Sequence, residues 1–408
     1  MRASVVLSFC LISTTTMAGG RLVGNGGDIV VCENSKNEVE RIEVLDHYEA
    51  KTLRGQTVNL GDSNVSVREK IDIATQRMAR LAPEHAQRYE NWAEDFLTEA
   101  QFLDDVDLVD IPDSQHSILP KNCRIQQIIN QASVLLPRQK RYTIDNYWWQ
   151  QLNNTQKAGL ILHEVVYRDT LSQGQENSLS ARWLSSLMAS ENLETMPLRE
   201  FVGLMQQLEF TALQIQNVLV DLNPRPDAAI EFYNDDFLKT GPVVKGSLYH
   251  HPSFFDPLVL RHKVTFHDNG HLAITILEKP ATFRWSGLSI KLAPQRVEFH
   301  PNQSVKLAVI NSPIQVQLQQ WELNLAGHLQ FYESGNLHLA RINLTHWHSP
   351  YGLIRITHHL QLYPNGEPKS FQLVDDTSLP TETGSFLVFK GGQIIQLNDA
   401  GKVIIDPR

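Results

Sequence analysis

The second half of the chain repeats one short pattern, and this repeat constrains the fold more than any other feature. Its clearest copy runs from Leu329 to Ile342, where apolar residues alternate with polar ones around Ser334-Gly335-Asn336. Apolar anchor residues recur at intervals of 34, 33, 32, 31 and 35 positions, at Phe232, Phe266, Phe299, Phe331, Leu362 and Leu397. Asn, Asp and Gly tolerate the positive φ of tight primed turns, so each copy predicts a β-hairpin. Hairpins in series predict an array in which each unit buries its apolar face on the next.

The first half has helical rather than alternating periodicity, which indicates a second kind of domain. A chain of 408 residues with 42% hydrophobic residues is long enough for at least two cores. We therefore predict an α+β protein. A mainly helical domain with a small β-hairpin would span 19–211, and an all-β antiparallel hairpin-repeat array of about six units of about 33 residues would span 212–408.

The first 18 residues have the layout of a cleavable secretory signal. Arg2 precedes the apolar run Val5–Ile12, and a Ser/Thr stretch then leads to the small residue Ala18. No later stretch approaches the roughly 20 apolar residues needed to span a bilayer. We expect an exported protein, located in the periplasm or on the outer cell surface.

Cysteine content fits this expectation. Cys10 would leave with the signal, so that Cys32 and Cys123 remain as an even number in an oxidising compartment. A disulfide between them is the leading prediction, and two free buried thiols are the alternative.

The overall charge argues against a nucleic-acid partner. Acidic residues exceed basic ones by 45 − 36 = 9, and no basic cluster interleaved with aromatic residues occurs.

The only residues able to do chemistry within a strongly helical, apolar pattern lie near the middle of the chain. The pattern predicts a helix over 154–174, with His163 and Tyr167 on one face and Glu164 and Arg168 on the next. This stretch resembles the His-Glu-x-x-His helix of zinc peptidases, in which two imidazoles bind zinc and the Glu is a general base. Here Tyr167 replaces the second His, and a phenol is a poor zinc ligand.

Two interpretations of this helix remain open. In the catalytic one, His163 and His116 bind a divalent metal such as zinc, Glu164 activates a water, and Tyr167 is either a weak ligand or a hydrogen-bond donor to a developing oxyanion. In the structural one no cofactor is bound. Glu164 then forms an ion pair with Arg168 across one helical turn, worth about 0.2–0.5 kcal/mol, while His163 and Tyr167 complete a packed helix.

Histidines concentrate in the second half, where 12 of the 16 follow Tyr249. His346 and His348 lie two apart, on one face of a predicted strand. Loose metal capture and a response to acid are two functional interpretations of these histidines. Ordinary polar residues on the solvated face of a sheet are the third, which we favour.

Two resemblances to known families accompany these patterns. The hairpin units resemble the Tyr-x-x-Asn-Gly-x-Leu repeats related to the MORN class, which implies a rolled antiparallel sheet. The first part resembles a group of uncharacterised exported proteins of Gram-negative bacteria, which implies export and a common helical core. The shared pieces are Gly24-Asn25-Gly26-Gly27-Asp28 through Cys32, Asp113-Ser114 with His116, Cys123, and Leu160 to Arg168.

Two functions follow as hypotheses. The first is an envelope-associated structural or binding protein, which presents its repeats to an envelope protein or a cell-wall component. The second is a metal-dependent, peptidase-like hydrolase that uses the helix containing His163 and Glu164.

Overall fold

The computed structural model of the chain describes residues 22–23, 27–104, 106, 108, 118–134, 138–175, 177–223, 228–318 and 321–405. The predicted signal peptide, Asp113-Ser114 and His116 lie outside these residues. The fold is α+β, as predicted, and contains a large antiparallel sheet. The chain divides between Thr195 and Met196 into two compact units, called unit 1 and unit 2 below.

Unit 1 combines helices with two small sheets. Its strands are β1 (Leu22–Val23), β2 (Asp28–Glu33), β3 (Val39–Val44), β4 (Ala100–Leu103), β5 (Cys123–Gln127), β6 (Ile129–Ala132) and β7 (Tyr142–Asp145). Its helices are α1 (Leu45–Arg54), α2 (Val67–Ala79), α3 (Pro83–Glu99), α4 (Asn146–Gln151), α5 (Asn154–Ser172), α6 (Leu179–Met188) and α7 (Asn192–Thr195).

The sheets of unit 1 extend beyond the single hairpin that the sequence predicts. β2 and β3 form that hairpin, and β5 pairs with the other edge of β2 in the order β3-β2-β5. A second sheet has the order β1-β6-β7-β4, in which β4 and β7 run parallel. The predicted disulfide is present: Cys32 on β2 lies directly opposite Cys123 on β5 and is bonded to it.

Local sequence signals place the helix starts of unit 1. Ser66 and Glu69 form a capping box at the start of α2, and α3 begins at Pro83, whose missing N–H costs nothing in the first turn. α5 begins at Asn154, but its cap is Asn153, which exchanges hydrogen bonds with Gln156. Asn153 is the cap because Gln156, three residues later, completes a capping box with it.

Unit 2 starts with helix α8 (Leu198–Gln207) and continues as strands. Strands β8 to β16 are Ala212–Ile215, Val218–Asp221, Glu231–Tyr233, Phe237–Pro242, Leu248–Tyr249, Leu258–Phe266, Leu272–Leu277, Ala281–Trp285 and Leu288–Leu292. Strands β17 to β26 are Arg296–Phe299, Val305–Val309, Ile314–Leu318, Trp321–Phe331, Leu337–Ser349, Gly352–Leu362, Pro368–Leu373, Thr377–Pro380, Phe386–Phe389 and Ile394–Gln396.

The main sheet of unit 2 follows chain order with short excursions. Its path is β10-β11-β13-β14-β17-β18-β20-β21-β22-β23-β26, and every pairing along it is antiparallel. α8 belongs to this unit through Arg199, which donates its amide to the carbonyl of Asp235 and pairs with that carboxylate at 2.8 Å. The boundary between the two units therefore lies before α8, whereas the change to strand periodicity, near 212, lies after this helix.

The turn after Phe232 has positive φ at both Asn234 and Asp235, as a primed turn requires. The turns after the other five anchor residues differ from this expectation, because each has a single residue of positive φ. In the turn after Phe331, the amide of Tyr332 donates to the carbonyl of Asn336, and the amide of Gly335 donates back to Tyr332. Only Gly335 has a positive φ in this turn, at 85°. The strand register shifts at the anchor, as expected for a type I turn that ends in a G1 bulge. Such a turn needs one left-handed residue rather than two.

Side chains connect each of these turns to the next by the same kind of hydrogen bond. The residue after an anchor donates to the backbone carbonyl of the following anchor, so successive turns are joined in a series that we call the turn ladder. Its members, with donor to acceptor distances of 3.3, 3.0, 3.0, 2.8 and 2.8 Å, are Tyr233 to Phe266, His267 to Phe299, His300 to Phe331, Tyr332 to Leu362 and Tyr363 to Leu397.

Candidate functional site

α5 is a largely buried helix that carries chemically capable side chains. From Ala158 to Tyr167 all of its residues are buried, so its faces contact protein rather than water. His47 of α1 rests on this helix at Gly159, where a Cβ would lie 2.5 Å from the Cε1 atom of the imidazole. Gly159 thus allows α1 to approach α5 closely, and the approach brings Asp46 to the centre of the helix.

His163 and Asp46 form a buried ion pair. His163 is 1% exposed, and its Nδ1 atom lies 3.1 and 2.9 Å from the two carboxylate oxygens of Asp46. Burial alone lowers the pKa of His163, but the charge of Asp46 and the hydrogen bond to it raise that pKa to about 9. Burial likewise raises the pKa of Asp46, yet His163, Ser185 and Arg182 together hold it below its ordinary value. Both groups are therefore charged at neutral pH.

The Asp46 carboxylate has two further polar neighbours on α6. Ser185 donates its hydroxyl hydrogen bond to Oδ2 of Asp46, and Arg182 contributes an attractive charge. Arg182 lies 3.3 Å from Glu49 of α1, which also lies 3.8 Å from Arg54. This arrangement is a buried charge network in which acids and bases offset one another, as burial of ions requires.

The serine, histidine and aspartate here do not form a nucleophilic triad. Ser185 and His163 both donate to Asp46, so the hydroxyl is hydrogen-bonded to the carboxylate rather than to the imidazole. In a triad the imidazole accepts the proton of the hydroxyl, and the carboxylate orients the imidazole from the other side. The Nε2 atom of His163 is buried and has no hydrogen-bond partner among the described residues.

Glu164 has different hydrogen-bond partners from those of His163. Its Oε1 atom accepts the amide of Gly27 at 2.5 Å, and its Oε2 atom accepts the side-chain amide of Gln131 at 3.1 Å. The residue is 0% exposed, and burial raises its pKa to about 7, although His163 and the Gly27 hydrogen bond oppose that rise. A carboxyl group tuned in this way is half protonated near neutral pH and could exchange a proton.

The predicted ion pair between Glu164 and Arg168 is wrong. Arg168 pairs with Glu99 at 3.0 Å, and its guanidinium lies 4.4 Å from the ring centroid of Trp92. The physical reason is burial: Glu164 lies on the fully buried side of α5, where backbone and amide donors satisfy it, while Arg168 reaches the edge where α3 ends. The tertiary partners replace the pair that helix spacing alone favours.

Tyr167 and His116 complete the residues singled out by sequence. Tyr167 is fully buried, and its ring centroid lies 5.9 Å from that of His163, so the two side chains share a face as predicted. His116 lies outside the described residues, and its role as a metal ligand stays a prediction. Within the described part of the chain, no three His, Cys, Asp or Glu side chains converge closely enough to hold a metal ion. The described donors alone therefore do not make a zinc site.

Sequence reasoning did not select Asp46 or Asp169, although both are buried acids in this region. Asp169 accepts a hydrogen bond of 2.7 Å from the hydroxyl of Tyr89 and lies 3.7 Å from the imidazole of His85. Burial lowers the pKa of His85 to about 4, against the opposing charge of Asp169. An acidic residue in the first turn of a helix is ordinarily a solvated partner of the helix dipole, so no local signal marked Asp46 as buried.

The histidines of unit 2 serve more than one purpose. His267 and His300 belong to the turn ladder, where each must carry a proton on Nε2 because a carbonyl oxygen only accepts. His346 and His348 flank the carboxylate of Glu322, at 3.6 and 3.2 Å. His251 is buried, and burial lowers its pKa to about 4. The interpretation as solvated strand residues is therefore wrong for His251, because its ring stacks on Phe299.

Comparison of the sequence with known protein families and with curated proteins found no match. Among the described residues, no helix has both the length and the apolar character needed to cross a membrane.

Proposed function

We propose that this protein is exported and acts as a binding component of the bacterial envelope. The hairpin units, about six over 212–408, present an extended surface to an envelope partner, and unit 1 is a rigid head. The disulfide between Cys32 and Cys123 supports export, because such bonds persist in oxidising compartments. The turn ladder supports the repeat assignment, since an equivalent side chain in successive turns donates to an equivalent carbonyl.

An exposed apolar patch in unit 2 is the observation that carries the binding role. Leu353 is 59% exposed, Phe386 is 59% exposed and Val388 is 65% exposed. Tyr351, at the tip between β21 and β22, packs edge-on against Phe386 with ring centroids 6.0 Å apart. Because β25 pairs with β24 alone among the described strands, its apolar side chains lack a covering layer. Contiguous exposed apolar residues mark interaction sites in soluble proteins.

Ion pairs border this patch. Arg355 forms a bidentate pair with Asp375 at 2.6 and 2.7 Å, two residues along β22 from Leu353. Lys390 pairs with Asp376 at 2.7 Å, two residues beyond Val388. An apolar centre with a charged rim is the usual composition of a protein–protein interface. The partner we favour is therefore an envelope protein with its own apolar surface rather than a cell-wall glycan.

Co-sedimentation with isolated Gram-negative envelopes tests this role. The double substitution Phe386→Ser/Val388→Ser should remove most of the sedimenting protein, because these two side chains are among the most exposed of the patch. Leu248→Ser is the matched control, since Leu248 is also an exposed apolar strand residue of unit 2, at 56%. Protease treatment of the envelopes should abolish binding if the partner is a protein, whereas retained binding would identify a cell-wall component. Equal sedimentation of the double variant and the control would refute the role of the patch.

A metal-dependent hydrolase remains the second candidate, on one observation. Nδ1 of His163 is fixed by a carboxylate while Nε2 has no partner among the described residues, which is how metal-binding imidazoles are commonly oriented. Metal analysis of the purified full chain, beside His163→Ala, decides between the candidates. Stoichiometric metal that disappears in the variant would favour the hydrolase. Substoichiometric metal in both proteins would favour a structural role for His163, in its buried ion pair with Asp46.

A further inference from the structure

A polar cleft lies at the N-terminal end of α5, bordered by β3 and α1. Its volume is about 520 Å³, within the range of small-molecule sites. It is separate from His163 and Glu164, whose side chains do not line it. The residues that line it include one buried imidazole, two cationic side chains and the first turn of a long helix.

The first turn of α5 has backbone donors without an acceptor in the described part of the chain, and Thr155 of this turn lines the cleft. Asn153 caps the amide of Gln156, and its carbonyl accepts the amide of Lys157. The amides of Asn154 and Thr155 have no acceptor among the described residues. Such amides and the helix dipole favour a negative group at this end of a helix of 19 residues.

His47 is the independent sign of a ligand. Its side chain lies on the wall of the cleft, yet the residue is only 7% exposed. No hydrogen bond joins its imidazole to any group in the described part of the chain. Gly159 provides the space for the ring, since a Cβ at that position would lie 2.7 Å from Nε2. A buried imidazole without a protein partner is costly unless a solvent or ligand atom completes its hydrogen bonding.

The charges at the rim favour an anion. Arg41 and Lys51 are exposed and line the cleft, and neither forms an ion pair with a described residue. The Arg41 guanidinium lies 3.3 Å from the Sγ atom of Cys32. Among the described residues that line the cleft, Glu43 is the one acid, beside two cationic residues. Glu43 would accept a hydrogen bond from a hydroxyl or ammonium group on the same ligand.

We propose that this cleft binds a small molecule through a carboxylate or phosphate group placed between the first turn of α5, His47, Arg41 and Lys51. Burial lowers the pKa of His47 to about 4, so at pH 7 the neutral ring supplies one N–H donor. The amide of Thr155 supplies a second donor, and the two cations supply the attractive charge. Charge-assisted hydrogen bonds of this kind are the strong ones in anion recognition.

Titration of the purified full chain with sodium phosphate and, separately, with sodium acetate tests the site at pH 7. Sodium chloride keeps the ionic strength constant, and isothermal calorimetry and thermal unfolding report binding. We expect saturable binding of at least one anion, and the tighter of the two identifies whether the natural group is a phosphate or a carboxylate. Absence of saturable binding for both anions would overturn the proposal.

Variants locate the binding. The double substitution Arg41→Gln/Lys51→Gln removes two exposed charges without disturbing the core, and should weaken binding by about tenfold or more. Lys279→Gln removes an equally exposed lysine of unit 2 and should leave binding unchanged. His47→Gln should weaken binding by about tenfold while circular dichroism stays that of the native protein. Equal affinities in the double variant and in Lys279→Gln would refute the site.

Discussion

The Nδ1 atom of His163 donates to Oδ2 of Asp46 at 2.9 Å, and both residues are buried almost completely. The two residues are 117 positions apart in the chain. Their contact joins α1 to α5 at the centre of unit 1. The pair therefore makes the stability of this unit depend on the protonation of one imidazole.

The first prediction concerns alkaline pH. The pKa of His163 rises from an ordinary 6.5 to about 9 in the folded chain, so the folded state holds a proton that the unfolded state releases. The resulting stability is fully present below pH 6.5 and is lost as pH rises through 9. The change is on the order of 3 kcal/mol, since one pKa unit corresponds to about 1.4 kcal/mol. Hydrogen exchange of α5 peptides in the native protein at pH 6.5, 7.5 and 9 measures it after correction for intrinsic rates.

Asp46→Asn is the control for this prediction. It keeps the shape and removes the charge that raises the pKa of His163, so protection of α5 should become nearly independent of pH between 7.5 and 9. An unchanged slope in this variant would mean that another group is responsible.

The second prediction concerns Glu164. Glu164→Gln should unfold within about 1 kcal/mol of the native protein at pH 7, because Oε1 can still accept from Gly27 and the amide of Gln131 can rotate. Relative to this variant, the native protein should lose stability as the pH rises from about 4.5 to about 7, since the pKa of the Glu164 carboxyl rises from 4.5 to about 7 in the folded chain. Glu164→Ala should cost about 1–3 kcal/mol by leaving the Gly27 amide buried without a partner. Urea unfolding curves at pH 4.5 and pH 7 check this dependence, and a native protein that loses no stability relative to Glu164→Gln between these two pH values would contradict it.

The third prediction concerns the disulfide. Replacing Cys32 and Cys123 together by Ser should cost about 2–5 kcal/mol, because the bond closes a loop of 91 residues in the unfolded chain. The loss should be confined to unit 1. Peptides from β2, β3 and β5 should gain hydrogen exchange, while those from β20 to β22 of unit 2 should not. Increased exchange in both units would show that the bond stabilises more than unit 1.

The fourth prediction concerns the turn ladder. Tyr332→Phe should cost about 1 kcal/mol, the value of one hydrogen bond, because the ring remains and the donor is lost. His300→Tyr should be nearly neutral, since Tyr332 and Tyr363 make the same bond from equivalent positions. His300→Phe, which keeps an aromatic ring without a donor, should destabilise about as much as Tyr332→Phe. Chemical denaturation of unit 2 measures all three, and an equal cost for His300→Tyr and His300→Phe would exclude the ladder as a source of stability.

Much of the local structure of unit 1 follows from short sequence signals. The capping box at Ser66 starts α2, Pro83 starts α3, and the apolar periodicity around Leu160 predicts α5. These signals act between residues within four positions of one another, so they can be recognised from the sequence alone. The small sheet formed by β1, β6, β7 and β4 was not predicted, because its short strands have meaning only as partners of one another.

The interactions of the candidate-site residues, by contrast, do not follow from local sequence signals. Helix spacing predicts an ion pair between Glu164 and Arg168. In the folded chain Glu164 instead accepts hydrogen bonds from Gly27 and Gln131, and Arg168 forms an ion pair with Glu99. An exposed pair at this spacing is worth a few tenths of a kcal/mol, whereas an unpaired buried carboxylate costs several. The cost of burying the carboxylate therefore decides the partners, and this cost arises only once the helices pack.

The sequence by itself determined the α+β class, the starts of α2, α3 and α5, and the cysteine pair, because each depends on neighbouring residues or on composition. Only the tertiary structure decided that Asp46 would meet His163, that Glu164 would be fully buried, and that His47 would rest on Gly159 beside a polar cleft. Those contacts depend on which surfaces exclude water from one another, and no short stretch of sequence contains that information.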